Sequence, residues 1–132
     1  MRVATGERGQ ALVEFALVLP ILLILALAIA ELAQVGVARL ALEHGAAEGA
    51  RIGALTNSDE LIRATVAATV TPLDPAQVEI AIDPPASARP AQPRGSLIRV
   101  QLRYALPAPL GFTGLPAFAI RGAAARRMEW TP

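Results

Sequence analysis

Twenty residues, Ala11 to Ala30, form an almost unbroken apolar run that contains a single charge, Glu14. At about 1.5 Å per residue a helix of that length spans roughly 30 Å, the thickness of one hydrocarbon core. This run constrains the fold more than any other feature. A helix apolar on all sides must be covered by lipid or by protein. Burying an unpaired carboxylate in lipid costs roughly several kcal/mol, so Glu14 is a functional candidate in its own right. Arg2 and Arg8 precede the run and Arg39 is the first basic residue after it. The positive-inside bias therefore puts the N-terminus in the cytoplasm and Glu31 onward outside.

A secretory signal peptide is the rival reading of the same run. Ala26-Leu27-Ala28 and Ala28-Ile29-Ala30 both fit an A-x-A cleavage site. Two features oppose it. Glu14 interrupts the apolar core, and the helical pattern continues past Ala30 through Leu32, Val35, Arg39, Leu42 and Ala46 to about Leu55. Pro20 decides nothing, because membrane helices tolerate proline where neighbours satisfy the freed carbonyl.

Beyond the long helix the sequence predicts an α+β domain. Thr56-Asn57-Ser58 stops the helix, and Asn57 or Ser58 can cap a second one with Asp59 and Glu60 in its first turn. Leu61, Ile62, Val66 and Val70 give that helix an apolar stripe, and Thr71-Pro72 ends it. Val78, Ile80 and Ile82 alternate with Gln77, Glu79 and Ala81, as in a half-buried strand. Ile98, Val100, Leu102 and Tyr104 alternate with Arg99, Gln101 and Arg103, the clearest strand of the chain. A third strand is expected over Ala119 to Trp130, although Ala123-Ala124-Ala125-Arg126-Arg127 could also be helical. The stretches 84–95 and 107–118 read as loops without an assigned role. The predicted order is long helix, short helix and a small antiparallel sheet of about three strands, with the helices on one face.

The composition narrows the function classes. The formal net charge is +1, which gives no electrostatic case for nucleic acid. There is no cysteine, so disulfides, thiolate zinc sites and cysteine nucleophiles are excluded. His44 and Glu48 have i,i+4 spacing, with Glu43 beside them, but a lone histidine makes a poor metal site and a solvated polar face is the expectation. No phosphate-binding loop, catalytic triad pattern or paired-carboxylate site stands out. No cofactor, metal or catalytic residue is expected, and the chain does not read as an enzyme.

Two further features could serve assembly. Ala41, Gly45, Gly49 and Gly53 recur every four residues, flanked by Ala46, Ala50 and Ala54. Each glycine costs a helix interior about 1 kcal/mol relative to alanine, so something is expected to approach this backbone closely. The partner could be the chain's own sheet or another subunit, and compositional drift is the third reading. On propensity alone, Gly49→Ala should be tolerated. Leu110, Phe112, Leu115 and Phe118 make the segment 107–118 unusually apolar, as a lid on the core or as a docking patch.

The order basic leader, Gly9, four residues, Glu14, Phe15 and a long apolar run resembles the processing site of type IV prepilins and pseudopilins. The resemblance sharpens over residues 8–55. Arg8-Gly9-Gln10-Ala11, Val13-Glu14-Phe15-Ala16, Pro20, Glu31 and Glu48-Gly49-Ala50-Arg51 are together similar to the N-terminal region of TadE-like proteins. These are pseudopilins or minor pilins of the tight-adherence (Flp, type IVb) pilus system. The resemblance implies a pilin-like fold and no catalysis. It implies a cytoplasmic leader over 1–9, a membrane segment over 10–33 and an extracytoplasmic domain over 34–132. A prepilin peptidase would cut between Gly9 and Gln10. Glu14 and Phe15 would serve assembly, the carboxylate pairing with the new α-amine of a neighbour's Gln10. Such a pair would neutralise two charges in a low-dielectric setting. The implied location is the bacterial inner membrane, with one pass, and the implied partners are the peptidase and other pilins or pseudopilins. The alternative is an uncleaved, membrane-anchored extracytoplasmic adaptor or binding domain, with Glu14 snorkelling to the interface.

Overall fold

The computed structural model of the chain describes residues 6–107 and 117–132. Helix α1 runs Gly6–Thr56, with Pro20 inside it, and helix α2 runs Asp59–Thr69. Strands β1 (Val78–Asp83), β2 (Leu97–Leu106) and β3 (Phe118–Arg127) form one antiparallel sheet in the order β1-β2-β3. Short 3-10 turns occupy Pro75–Gln77 and Ala86–Ala88. The fold is α+β, as the sequence predicts. The apolar segment of 108–116 lies outside the described residues. The chain divides into two compact units, and the division falls between Gln34 and Val35.

In the first unit α1 is helical from Gly6, upstream of the expected start at Gln10. From Ala11 to Ala30 its side chains are all exposed. Its membrane candidacy therefore comes with the matching physical property, a helix surface apolar but for Glu14 and exposed among the described residues.

The second unit holds the core. Ala38, Leu42, Ala46, Ala50 and Ala54 are buried along α1 at four-residue intervals. Ile62, Val66 and Val70 oppose them from α2 and its C-terminal cap, and Ile98, Val100 and Leu102 from β2. Leu61 departs from the sequence reading, being 47% exposed. One side of α2 alone faces α1 and the sheet. At 100° per residue, Ile62 and Val66 occupy that side and Leu61 turns away from it.

Polar groups set the joints. Asn57 adopts a left-handed conformation (φ 51°) and donates its backbone N–H to the Gly53 carbonyl at 2.9 Å, which ends α1. Ser58 is the cap of α2, its hydroxyl accepting from Leu61 N–H at 3.3 Å, with Asp59 and Glu60 in the first turn. Strand β3 ends at Arg127, earlier than the expected Trp130, and its Ala-Ala-Ala-Arg-Arg stretch is strand rather than helix. After it, Glu129 and Trp130 both donate backbone N–H groups to the Ala54 carbonyl, at 2.8 and 3.0 Å. That carbonyl is among those a helix C-terminus leaves without an intrahelical partner, so the chain's end completes α1.

Candidate functional site

The candidate processing and assembly residues lie together on the first turns of α1. Gly9, Gln10, Glu14 and Phe15 are all exposed, Phe15 to 58%. Among the described residues nothing lies within 4 Å of the place where a Cβ on Gly9 would sit, so no described contact requires this glycine. Gln10 Nε2 donates to Glu14 Oε1 at 3.1 Å, the ordinary reach of an i,i+4 pair. The carboxylate thus leans along the helix toward Gln10. Glu14 itself is exposed.

The three candidate packing glycines are buried in the second unit. A Cβ on Gly45 would meet Val70 at 2.7 Å and Leu102 at 3.2 Å. On Gly49 it would meet Val66 at 2.8 Å and Val100 at 3.5 Å, and on Gly53, Ile62 at 2.7 Å and Ile98 at 3.0 Å. Each glycine therefore faces at least one residue of the α2 side and one of β2. The periodicities explain the ladder. Four residues of helix rise about 6 Å and two residues of strand about 6.6–6.8 Å, so every fourth helix position meets every second strand position. The glycines let β-branched side chains seat against the α1 backbone.

This geometry reverses the sequence expectation for Gly49→Ala. The added methyl would lie 2.8 Å from a Val66 methyl, and valine has one stiff torsion with which to yield. An overpacking cost of about 1–3 kcal/mol outweighs the propensity gain of about 1 kcal/mol. We expect the thermal midpoint of the detergent-solubilised chain to fall by several degrees for Gly49→Ala and further for Gly49→Leu. A rise on Gly49→Ala would show that α2 shifts without cost.

Two structural residues escape sequence reasoning. Gly122 is buried in β3, and a Cβ there would meet the Leu42 carbonyl carbon at 2.6 Å and Glu43 N at 2.8 Å. Arg89, in the loop after β1, has a side chain only 4% exposed. It pairs with the Asp59 carboxylate and donates to Asn57 Oδ1 at 3.2 Å and to the Pro84 carbonyl at 3.0 Å. It ties the 84–95 loop to the α1–α2 corner. The alternation of β3 hinted at an inward position 122, but nothing local marked Arg89, whose partners Asn57 and Asp59 lie 32 and 30 residues away.

The polar group around His44 forms no metal centre. Glu43 pairs with Arg39 at 3.0 Å and Glu48 with Arg51 at 2.8 Å, and His44 is exposed. Among the described residues no three His, Asp or Glu side chains come together as ligands.

Comparison with curated proteins and with solved structures finds no match. A family model does match, over the segment that holds Gly9, Gln10, Glu14, Phe15, Gly45 and Gly49. Residues 9–51 fit the family described as TadE-like protein, so over that segment the chain is similar to TadE-like proteins.

Proposed function

We propose that the chain is a pseudopilin or minor pilin that takes part in assembling a tight-adherence pilus for surface attachment. The TadE-like segment supports a relationship to that pilus system, and the exposed apolar helix supports membrane anchoring. In this reading residues 10–33 hold the protein in the bacterial inner membrane, residues 1–9 are a cytoplasmic leader and residues 34–132 lie outside. A prepilin peptidase cuts between Gly9 and Gln10, and other pilins or pseudopilins are the partners. The chain's role is structural rather than enzymatic.

One observation carries the reading. A lone carboxylate sits on an otherwise apolar exposed surface, directed at the residue that cleavage would make the N-terminus. The new α-amine of Gln10 in an adjacent subunit supplies the cation that Glu14 lacks in lipid. Gly9 suits the peptidase step for two reasons. It has no side chain for a cleft to exclude, and it weakens the helix end by about 1 kcal/mol relative to alanine, which favours local unwinding before cleavage.

Gly9→Leu tests the processing step. The uncut precursor is expected to accumulate in the membrane, with a mass that includes residues 1–9 and an N-terminal sequence starting upstream of Gln10. Piliation should fall accordingly. A Gly9→Leu protein that still matures at Gln10 would overturn the assignment of the cut. A wild-type protein that keeps its leader in piliated cells would favour the uncleaved anchor.

A further inference from the structure

Among the described residues the sheet of the second unit has two unpaired edges of opposite charge. Strand β1 carries Glu79 and Asp83 and no base, and β3 carries Arg121, Arg126 and Arg127 and no acid. Among the described residues each of these strands pairs with β2 alone. On β3, Ala119, Gly122, Ala123, Ala124 and Ala125 are small, so the outer row of backbone N–H and C=O groups is little shielded by side chains. On β1, Ile80 and Ile82 remain only half-buried.

The registers align these edges. Glu79, Arg103 and Arg121 form one row across the sheet, and Ala81, Gln101 and Ala123 another. Arg103 and Arg121 are thus direct neighbours of like charge, an unfavourable cross-strand pair. Glu79 reaches Arg103 only at 3.8 Å. A carboxylate on the far side of Arg121 would relieve that row.

We propose that a second copy of this chain supplies it: β1 of one copy pairs with β3 of the next and continues the sheet. Strands β1 and β3 both run antiparallel to β2, so copies in the same orientation meet through a parallel pair. In that register Glu79 of the incoming copy lies beside Arg121, and its Ile80 and Ile82 lie beside Gly122 and Ala124. Pairing two β1 edges would oppose acids, and pairing two β3 edges would oppose arginines. The charges therefore select a head-to-tail contact, which repeats without closing. The contact is independent of whether the Gly9–Gln10 bond is cut.

The chain has no cysteine, so engineered thiols report without background. Ala81 and Ala123 are exposed and share a row. Within one copy they stand two strand spacings apart, about 9.5 Å, beyond the roughly 7 Å limit for a disulfide. Mild oxidation of the full-length Ala81→Cys/Ala123→Cys protein in its membranes should give dimers and higher ladders. Each single variant should stay monomeric, and the two singles mixed should give dimers only. Adding Glu79→Arg should cut the cross-linked fraction by about two- to tenfold, and adding Arg121→Glu as well should restore it.

Three results would overturn the proposal. One is a single variant that cross-links as well as the double. Another is a double variant that keeps the parent's melting profile and stays monomeric. The third is Ala123→Cys captured by a different protein in place of its own copy. If the double variant melts early, Asp83→Cys with Ala125→Cys in the adjoining row reads the same contact.

Discussion

Gly122→Ala is expected to cost the second unit about 3 kcal/mol, the upper end of the usual overpacking penalty. The atoms that a Cβ would strike are the carbonyl carbon and oxygen of Leu42, at 2.6 and 2.7 Å, and the nitrogen of Glu43, at 2.8 Å. All three belong to the α1 backbone, so no rotamer change relieves the collision. The helix and β3 must separate, and that movement loosens the contacts of Leu42 and Ile120 as well. For a unit of about one hundred residues, 3 kcal/mol corresponds to a fall in Tm of roughly 10–20 °C. Circular dichroism melting of the full chain in detergent measures it. Gly36→Ala is the control, because nothing lies within 4 Å of its would-be Cβ and helix propensity favours alanine. It should leave Tm unchanged or slightly raised. A Gly122→Ala protein that melts within a degree or two of the parent would mean that the sheet moves off α1 without loss.

Substitution at Glu14 is expected to have the largest functional effect. Glu14→Ala removes a charge from the apolar segment, so membrane insertion should be intact or improved. If the carboxylate pairs with a neighbour's α-amine, the variant leaves that cation unpaired in a low-dielectric contact. Association with other pilins should then weaken by roughly a hundredfold or more. Glu14→Gln sharpens the test. Its amide oxygen can still accept from Gln10, as Glu14 Oε1 does at 3.1 Å, but it carries no charge. Under the pairing reading it fails as badly as alanine. Under the snorkelling reading both variants are tolerated. Co-purification with the other pilins, measured at matched membrane levels, distinguishes these results, and normal recovery of both variants would remove Glu14 from the assembly account.

The glycines of α1 show where the sequence was legible and where it was not. The four-residue recurrence of Gly45, Gly49 and Gly53 was visible, as was the cost each imposes on a helix. Packing within the chain was the favoured reading and the structure agrees, but the recurrence alone did not name the partners, because it also fits another subunit's helix or drift. The ladder against Val70, Val66 and Ile62 on one side and Leu102, Val100 and Ile98 on the other depends on how far α2 and β2 lie from α1. That distance is a tertiary quantity, and it changes the sign expected for Gly49→Ala. Leu61 has the same cause: its hydrophobicity was plain, but only the placement of α2 determines which side is covered.

The α+β class, the long apolar helix, the helix stop at Thr56-Asn57-Ser58 and the alternation of β1 and β2 were all legible in the residues themselves. Each follows from local periodicity or capping chemistry within a few residues. The sequence also carried the TadE-like pattern of residues 9–51, since that pattern is linear along one helix. Packing settled the rest: what Gly122 touches, why the Arg89 side chain is buried against Asp59, how Glu129 and Trp130 complete α1 at Ala54, and which rows the strand charges share. These depend on contacts between residues far apart in sequence, set by the joint packing of both helices and the sheet. No local pattern encodes a contact whose partner is chosen by the rest of the core.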